Sequence, residues 1–189
     1  MRNNDLIKEK LKRLLPPERY KHSLRVEAAA LALASRHKVN CKKASIAALL
    51  HDCSRFLSRK QMLEKGFAWG LAVGPIEKLE PKLLHAKLSA VIALRDFKIK
   101  DKQILSAIKL HTVGAEKMST LDKIIYLADH IEGERGYKEV KKVRKLAFLD
   151  LDSAIVESTS SMIRHLLGEN MPISCETINT RNAHLSKIR

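Results

Sequence analysis

The residues able to do chemistry stand at the ends of apolar stripes. His51 and Asp52 close the run A-S-I-A-A-L-L-H-D, in which Ala44, Ala47, Ala48 and His51 recur at the i, i+3, i+4, i+7 spacing of one helix face. His22 heads a stripe with Val26, Ala29, Ala30 and Leu33, and His85 shares a face with Leu88, Ser89 and Ile92. His111 follows Ile104, Ala107 and Ile108, while Asp129 follows Leu121 and Ile125 at four-residue steps. A carboxylate taken out of water is costly unless it is paired, hydrogen-bonded or bound to a metal. Six residues of ligand type on five predicted helices, in a chain with only eight histidines, point to a metal centre built inward from facing helices. Imidazoles and carboxylates without closely spaced thiolates suit iron, manganese, cobalt or zinc in an open catalytic site rather than a closed structural zinc. Periodicity alone does not select ligands, because His37 extends the His22 stripe; it falls in the last helical turn, where a cation suits the helix dipole. Cys53, next to the His-Asp pair, reads as a small buried side chain rather than a ligand or nucleophile.

The elements that must position these residues are all helices. A first helix is predicted from about Asp5 to Leu15, stopped by Pro16-Pro17, and a second from Glu18 to His37. After the helix that ends at His51-Asp52, Ser58 caps a short helix fading at Gly66, and Phe67 to Pro75 reads as a loop carrying Trp69, the one tryptophan. Pro81 starts the helix of His85. The next runs from Asp101 to a glycine cap at Gly114, and Ser119 with Asp122 forms a capping box opening the helix of Asp129. Gly133 and Gly136 break that helix. Two more, Lys138 to Ala147 and Leu149 to Leu167, precede a tail at 170–189 expected to be extended or loosely helical.

Composition bounds the class. A chain of 189 residues with 45% hydrophobic residues, seven glycines and five prolines fits one all-α domain spanning 1–189. No apolar run reaches the roughly 18 residues of a membrane span, and the charged start does not read as a signal peptide. Three cysteines without paired spacing fit a reducing cytoplasm. The net charge of +15 attracts polyanions without saying which, and lysines scattered along the chain read first as solvated helix faces. A basic nucleic-acid-binding protein with structural histidines is the reading from another class. The eight aromatic residues are not interleaved with lysines as a stacking platform requires, which weighs against it.

The order His22, His51-Asp52, Asp129 resembles the signature of the HD-domain metal-dependent phosphohydrolases. Within that superfamily the chain looks like the YqeK-type family of symmetrical bis(5'-nucleosyl)-tetraphosphatases. The stretches that carry the resemblance are K-H-S-L-R-V at 21–26, A-L-L-H-D at 48–52, L-L-H-A at 83–86, I-K-L-H-T-V-G at 108–114, M-S-T-L-D-K-I-I-Y-L-A-D-H-I-E-G-E-R at 118–135 and E-T-I-N-T-R-N at 176–182. It departs from the family at Arg55, usually lysine, at Lys87-Leu88-Ser89, at Val113 and at Gly133.

The resemblance implies an HD-domain helical bundle that cleaves diadenosine tetraphosphate and related dinucleoside polyphosphates to ADP. It implies that His22, His51, Asp52 and Asp129 hold the first metal, iron foremost, with manganese, cobalt or another divalent ion as alternatives. Asp52, His85 and His111 would be catalytic, and His85 and His111 would either complete a second metal position or contact phosphate. Arg55, Thr112 and Arg135 would bind phosphate oxygens, with the tail around Ile173 to Thr177 lining a nucleoside pocket. The expected partner is a dinucleoside polyphosphate, with no membrane, nucleic acid only as a secondary reading, and a homodimer as the assembly to test. Another HD phosphohydrolase acting on a different nucleotide phosphoester is the nearest alternative.

Overall fold

The computed structural model describes residues 2–189. Among these residues there is no strand, and the helices run in the order α1 Arg2–Leu14, α2 Pro17–Arg36, α3 Cys41–Leu50, α4 Arg59–Ala68, α5 Pro75–Leu79, α6 His85–Arg95, α7 Lys102–Leu110, α8 Thr120–Ile131, α9 Val140–Leu149, α10 Leu151–Gly168 and α11 Cys175–Leu185. A 3-10 turn, Pro81–Leu84, leads into α6.

The middle of the bundle is α3. Every residue from Ala44 to Leu50 is buried, so this helix is enclosed on all sides instead of showing a wet face. Its small residues, Ala44, Ala47 and Ala48, let α2, α7 and α8 approach closely. Leu33 of α2, Leu49 and Leu50 of α3, Ile108 of α7 and Ile124 and Leu127 of α8 are wholly buried around it. Each such side chain contributes about 1.5–3 kcal/mol by leaving water. Helix starts follow local chemistry. Asn40 accepts from the Lys43 amide, Asp101 from Gln103 and Ile104, and capping boxes form at Ser58/Gln61 and Ser119/Asp122.

The differences from the sequence expectations have physical causes. His51 and Asp52 lie just beyond regular α3, in tight turns where the amide of Cys53 donates to Leu50 and that of Arg55 to Asp52. α4 passes through Gly66 to Ala68, because Gly66 is buried against Val73 and Leu84, where a Cβ would crowd them at 3.2 and 3.3 Å. The expected loop therefore starts later, and Trp69 packs on the core with Lys65 and Arg95 over its ring. The short α5 was not foreseen; Pro75 opens it and the Glu77 carboxylate accepts from the Gly74 amide. α10 begins at Leu151 rather than Leu149 because Asp150 caps it.

The largest correction is the tail. It forms α11, packed along α10, with Thr177, Thr180 and His184 buried. Its docking is polar: Thr180 donates to the Val113 carbonyl at 2.9 Å, and His184 pairs with Asp152, itself bound by Lys123 at 2.7 Å. Gly114, with φ +73°, lies against Thr180 at the same joint. His37 is likewise structural: its Nε2 bonds the Ala147 carbonyl at 2.7 Å, tying the end of α2 to α9.

Candidate metal centre

Three of the histidines share one local device. His51 follows α3 and His111 follows α7, each at the residue where the helix gives out, and His85 stands where the 3-10 turn passes into α6. The last carbonyls of a helix lack intrahelical partners. The imidazole Nδ1 reaches one of them three residues back: His51 to Ala48 at 2.6 Å, His111 to Ile108 at 2.7 Å, and His85 to Lys82. A carbonyl accepts only, so Nδ1 carries the proton and each Nε2 presents a lone pair inward.

These lone pairs converge. His51 Nε2 lies 3.3 Å from His22 Nε2, and His85 Nε2 lies 3.0 Å from His111 Nε2. Asp129 Oδ1 is 3.0 Å from His22 Nε2. Asp52 stands between the two pairs, its Oδ2 3.8 Å from His51 Nε2 and its Oδ1 3.3 and 3.8 Å from His85 and His111. Two sets, His22, His51, Asp129 and His51, Asp52, His111, each bring ligand atoms within 4.8 Å of one another. Facing nitrogen lone pairs repel unless a proton or a cation lies between them. A divalent metal fits this donor set of imidazole nitrogens and carboxylate oxygens.

The surroundings hold the donors in ligand form. Burial pushes His85 and His111 down to about 4, more than the attraction of Asp52 restores, so both are neutral at pH 7. His51 is lowered for the same reason. Burial alone would raise the Asp52 carboxyl, but the imidazoles of His51, His85 and His111 hold it well below the usual range. Asp129 is lowered against the same burial by the His22 hydrogen bond, His51 and Arg135.

Several residues around the centre lie outside the apolar stripes, Glu132 being marked only by the 118–135 stretch that carries the resemblance. Glu132, nearly wholly buried, faces His22 Nδ1 at 3.4 Å and is bound by Arg25 at 2.8 Å. A carboxylate behind a ligating imidazole fixes its orientation and basicity. Arg19 reaches Asp52 Oδ2 at 3.3 Å from one turn before His22. Arg19 and Arg25, both half-buried, flank His22 at i−3 and i+3 on its own side of α2, a pattern lost among 36 lysines and arginines.

The other expected residues fall as follows. Arg55 Nε is 3.8 Å from Asp52 Oδ2. Thr112 Oγ1 lies 3.0 Å from His85 Nε2 and 3.2 Å from His111 Nε2. Arg135 grips Asp129, donating from Nε to its carbonyl at 2.9 Å and from Nη2 to Oδ1 at 2.6 Å. Ile173 and Thr177 were expected at a nucleoside pocket; a groove of about 590 Å³ beside Val113 and Leu83 is faced from this part of the tail by Ser174, Glu176 and Asn179, whereas Thr177 is on the buried side of α11. The helical turn of α11 puts Thr177 on the docking side and its neighbours on the open side, which an extended tail would not have done. Cys53 is a core residue, its thiol donating to the Ser89 carbonyl, and burial pushes it up.

Comparison with known proteins agrees with this geometry. The HD domain family matches residues 19–134, which hold every residue of the cluster. A Bacillus subtilis protein named symmetrical bis(5'-nucleosyl)-tetraphosphatase is 36% identical over 172 residues, covering 91% of this chain and 92% of that protein. A Staphylococcus aureus protein of the same name is 31% identical, covering 92% of each. A crystal structure from Clostridium acetobutylicum, described as a predicted HD superfamily hydrolase involved in NAD metabolism, superposes with a TM-score of 0.93 at 36% identity over 97% of both chains.

Proposed function

The chain belongs to the HD-domain family of symmetrical bis(5'-nucleosyl)-tetraphosphatases, and from that membership we propose that it hydrolyses diadenosine tetraphosphate, and related dinucleoside polyphosphates, to two ADP. The observation that carries the reading is the convergence of four imidazole Nε2 atoms on two carboxylates, Asp52 buried and Asp129 half-buried, beside a rim of arginines.

His22, His51, Asp52 and Asp129 would hold the first metal, with iron the leading identity and manganese or cobalt the alternatives. His85 and His111, across Asp52, are placed to complete a second position or to meet phosphate directly. A metal bound there supplies Lewis-acid polarisation of a phosphoryl oxygen and lowers the pKa of a water. The chain's own residues do the rest. Glu132 holds His22 in its ligating orientation. Arg55 and Arg135, joined by Arg19 and Arg25, bind phosphoryl oxygens, for which the planar guanidinium is suited to paired contacts. The Thr112 hydroxyl, aimed between His85 and His111, donates to the phosphate under attack. Water adds to an inner phosphorus and the bridging P–O bond on the far side breaks. One ADP leaves and the other carries the new oxygen, the water's proton passing to solvent. The groove edged by Ser174, Glu176 and Asn179 receives one nucleoside.

The chain acts as one domain, in the cytoplasm. Among the described residues no helix is long and apolar enough to cross a membrane, and the three cysteines are unpaired thiols. The deciding experiment incubates the iron- or manganese-loaded protein with diadenosine tetraphosphate and resolves the products by anion exchange. ADP alone is expected. ATP with AMP, or no turnover by a metal-loaded protein, would overturn the assignment.

A further inference from the structure

A second cavity shares Arg135 with the site mouth. It is enclosed by the end of α8, the turn before α9 and the face of α10, and has a volume of about 250 Å³. His130, Tyr137 and His165 give it aromatic walls, with Ser158 and Ser161 on α10. His130 is already stacked on Tyr126, ring centroids 4.5 Å apart, so its ring is held in a fixed plane. Ser158 is 2% exposed and lines the cavity, and its hydroxyl meets those of Tyr126 and Tyr137 in a buried cluster with no partner outside the three.

Arg135 belongs to two places at once. It edges this cavity together with His130 and Tyr137, and it edges the mouth of the metal centre, where Arg19, Arg25 and Arg135 alternate with Glu18, Glu132 and Glu134 beside His22. A chain of phosphates leaving the centre along the arginine rim would therefore arrive at the cavity entrance. Flat aromatic walls, a cluster of hydroxyls and a cation at the door suit a planar heteroaromatic ring carrying an anionic tail.

We propose that this cavity is a nucleobase subsite, taking the second nucleoside of a substrate whose first lies in the groove at α11. The proposal rests on the dinucleoside polyphosphate reading above. The base would lie against His130 and Tyr137, and its edge would meet the Ser158 hydroxyl and, as an acceptor, Ser161 Oγ, which donates to Glu139 at 2.9 Å. A hydroxyl can rotate to donate or accept, so the edge contacts tolerate either an amino or a keto group on a purine.

Photolabelling of the full chain with 8-azidoadenosine diphosphate, followed by peptide mapping, tests the placement without turnover. Label is expected on the segments containing Tyr137 and Met162–His165, competed by ADP and absent from Ser161→Phe, whose ring would fill the cavity. Label confined to segments around residues 72–87 and 113–117 and to α11 would overturn the subsite. In steady state, Ser161→Phe should raise KM for diadenosine tetraphosphate about tenfold, the scale of losing one stacked base, with kcat little changed. Adenosine 5'-tetraphosphate, which has one nucleoside, should be unaffected. Ser158→Ala, a smaller change that spares the fold, should raise the same KM severalfold. Equal effects on both substrates, or none on either, would refute the proposal. A parent chain that labels here but releases no ADP from the dinucleotide would keep the subsite and remove the hydrolytic reading.

Discussion

Gly114 is the hinge on which the tail meets the metal centre, and Gly114→Ala tests that joint. Its φ of +73° is one that alanine adopts at a cost of about 1 kcal/mol. A Cβ there would also lie 2.6 Å from Thr180 Cγ2 and 2.8 Å from its Oγ1, well inside contact distance. Overpacking of this kind costs about 1–3 kcal/mol. The substitution should therefore destabilise the chain by about 2–4 kcal/mol, or roughly 4–16 °C in Tm at this chain length. The two causes separate in a double-mutant cycle. Thr180→Ala removes the clashing atoms and leaves a Cβ at 3.2 Å, while forfeiting the bond to Val113 at about 1 kcal/mol. The double variant should be more stable than the sum of the single effects by about 1–3 kcal/mol, measured by urea unfolding. Additivity within about 0.5 kcal/mol would refute the packing argument and leave backbone strain as the whole effect.

Other outcomes follow from the centre and the core. Asp52→Ala should abolish hydrolysis and metal retention with helical circular dichroism unchanged, read by elemental analysis of the purified variant; full activity would sink the site assignment. Glu132→Gln should lower metal affinity about 10–100-fold in chelator competition, because it weakens the hold on His22 without removing a ligand. Under native conditions iodoacetamide should modify the exposed Cys41 and Cys175 and spare Cys53, as peptide mass spectrometry would report, since burial both shields that thiol and raises it. The Asp152 carboxyl is held low, against burial, by Lys123 and His184. Its contribution is then present above the ordinary carboxylate range and lost as pH falls through the folded value. Asp152→Asn should therefore be less stable than the parent at pH 7, the gap narrowing below about pH 4 in denaturant melts.

The centre was legible because its residues interrupt apolar periodicity. His22, His51, His85, His111 and Asp129 each end or open a stripe whose other members are mostly hydrophobic, so that the polar member is carried toward the core by the helix period. The same rule could not find α11, whose buried positions are Thr177, Thr180 and His184. That helix docks through hydrogen bonds to Val113 and Asp152, and polar docking leaves no hydrophobic pattern. Glu132 hid for another reason. It caps the end of α8, beyond the periodic segment, and its partners His22 and Arg25 are more than a hundred residues away. Ile173 and Thr177 were placed by analogy with the tail's sequence, and only the helical turn of α11 decides which of its residues face the groove.

The brace formed by α11 divides the chain's labour. The residues of the metal cluster lie between positions 22 and 129, within the segment 19–134 that matches the HD family. The groove edge at Ser174, Glu176 and Asn179 and most of the walls of the cavity on α10 lie after it. The groove's other wall, from Ala72 to Lys117, lies within the HD segment, so the later stretch closes a surface that the earlier one begins, and the two are joined at Gly114 and Thr180. On the proposed reading, variation in the last third of the chain would retune one wall of the groove while the metal cluster is inherited unchanged, and the joint is the place where such variation would meet its limit.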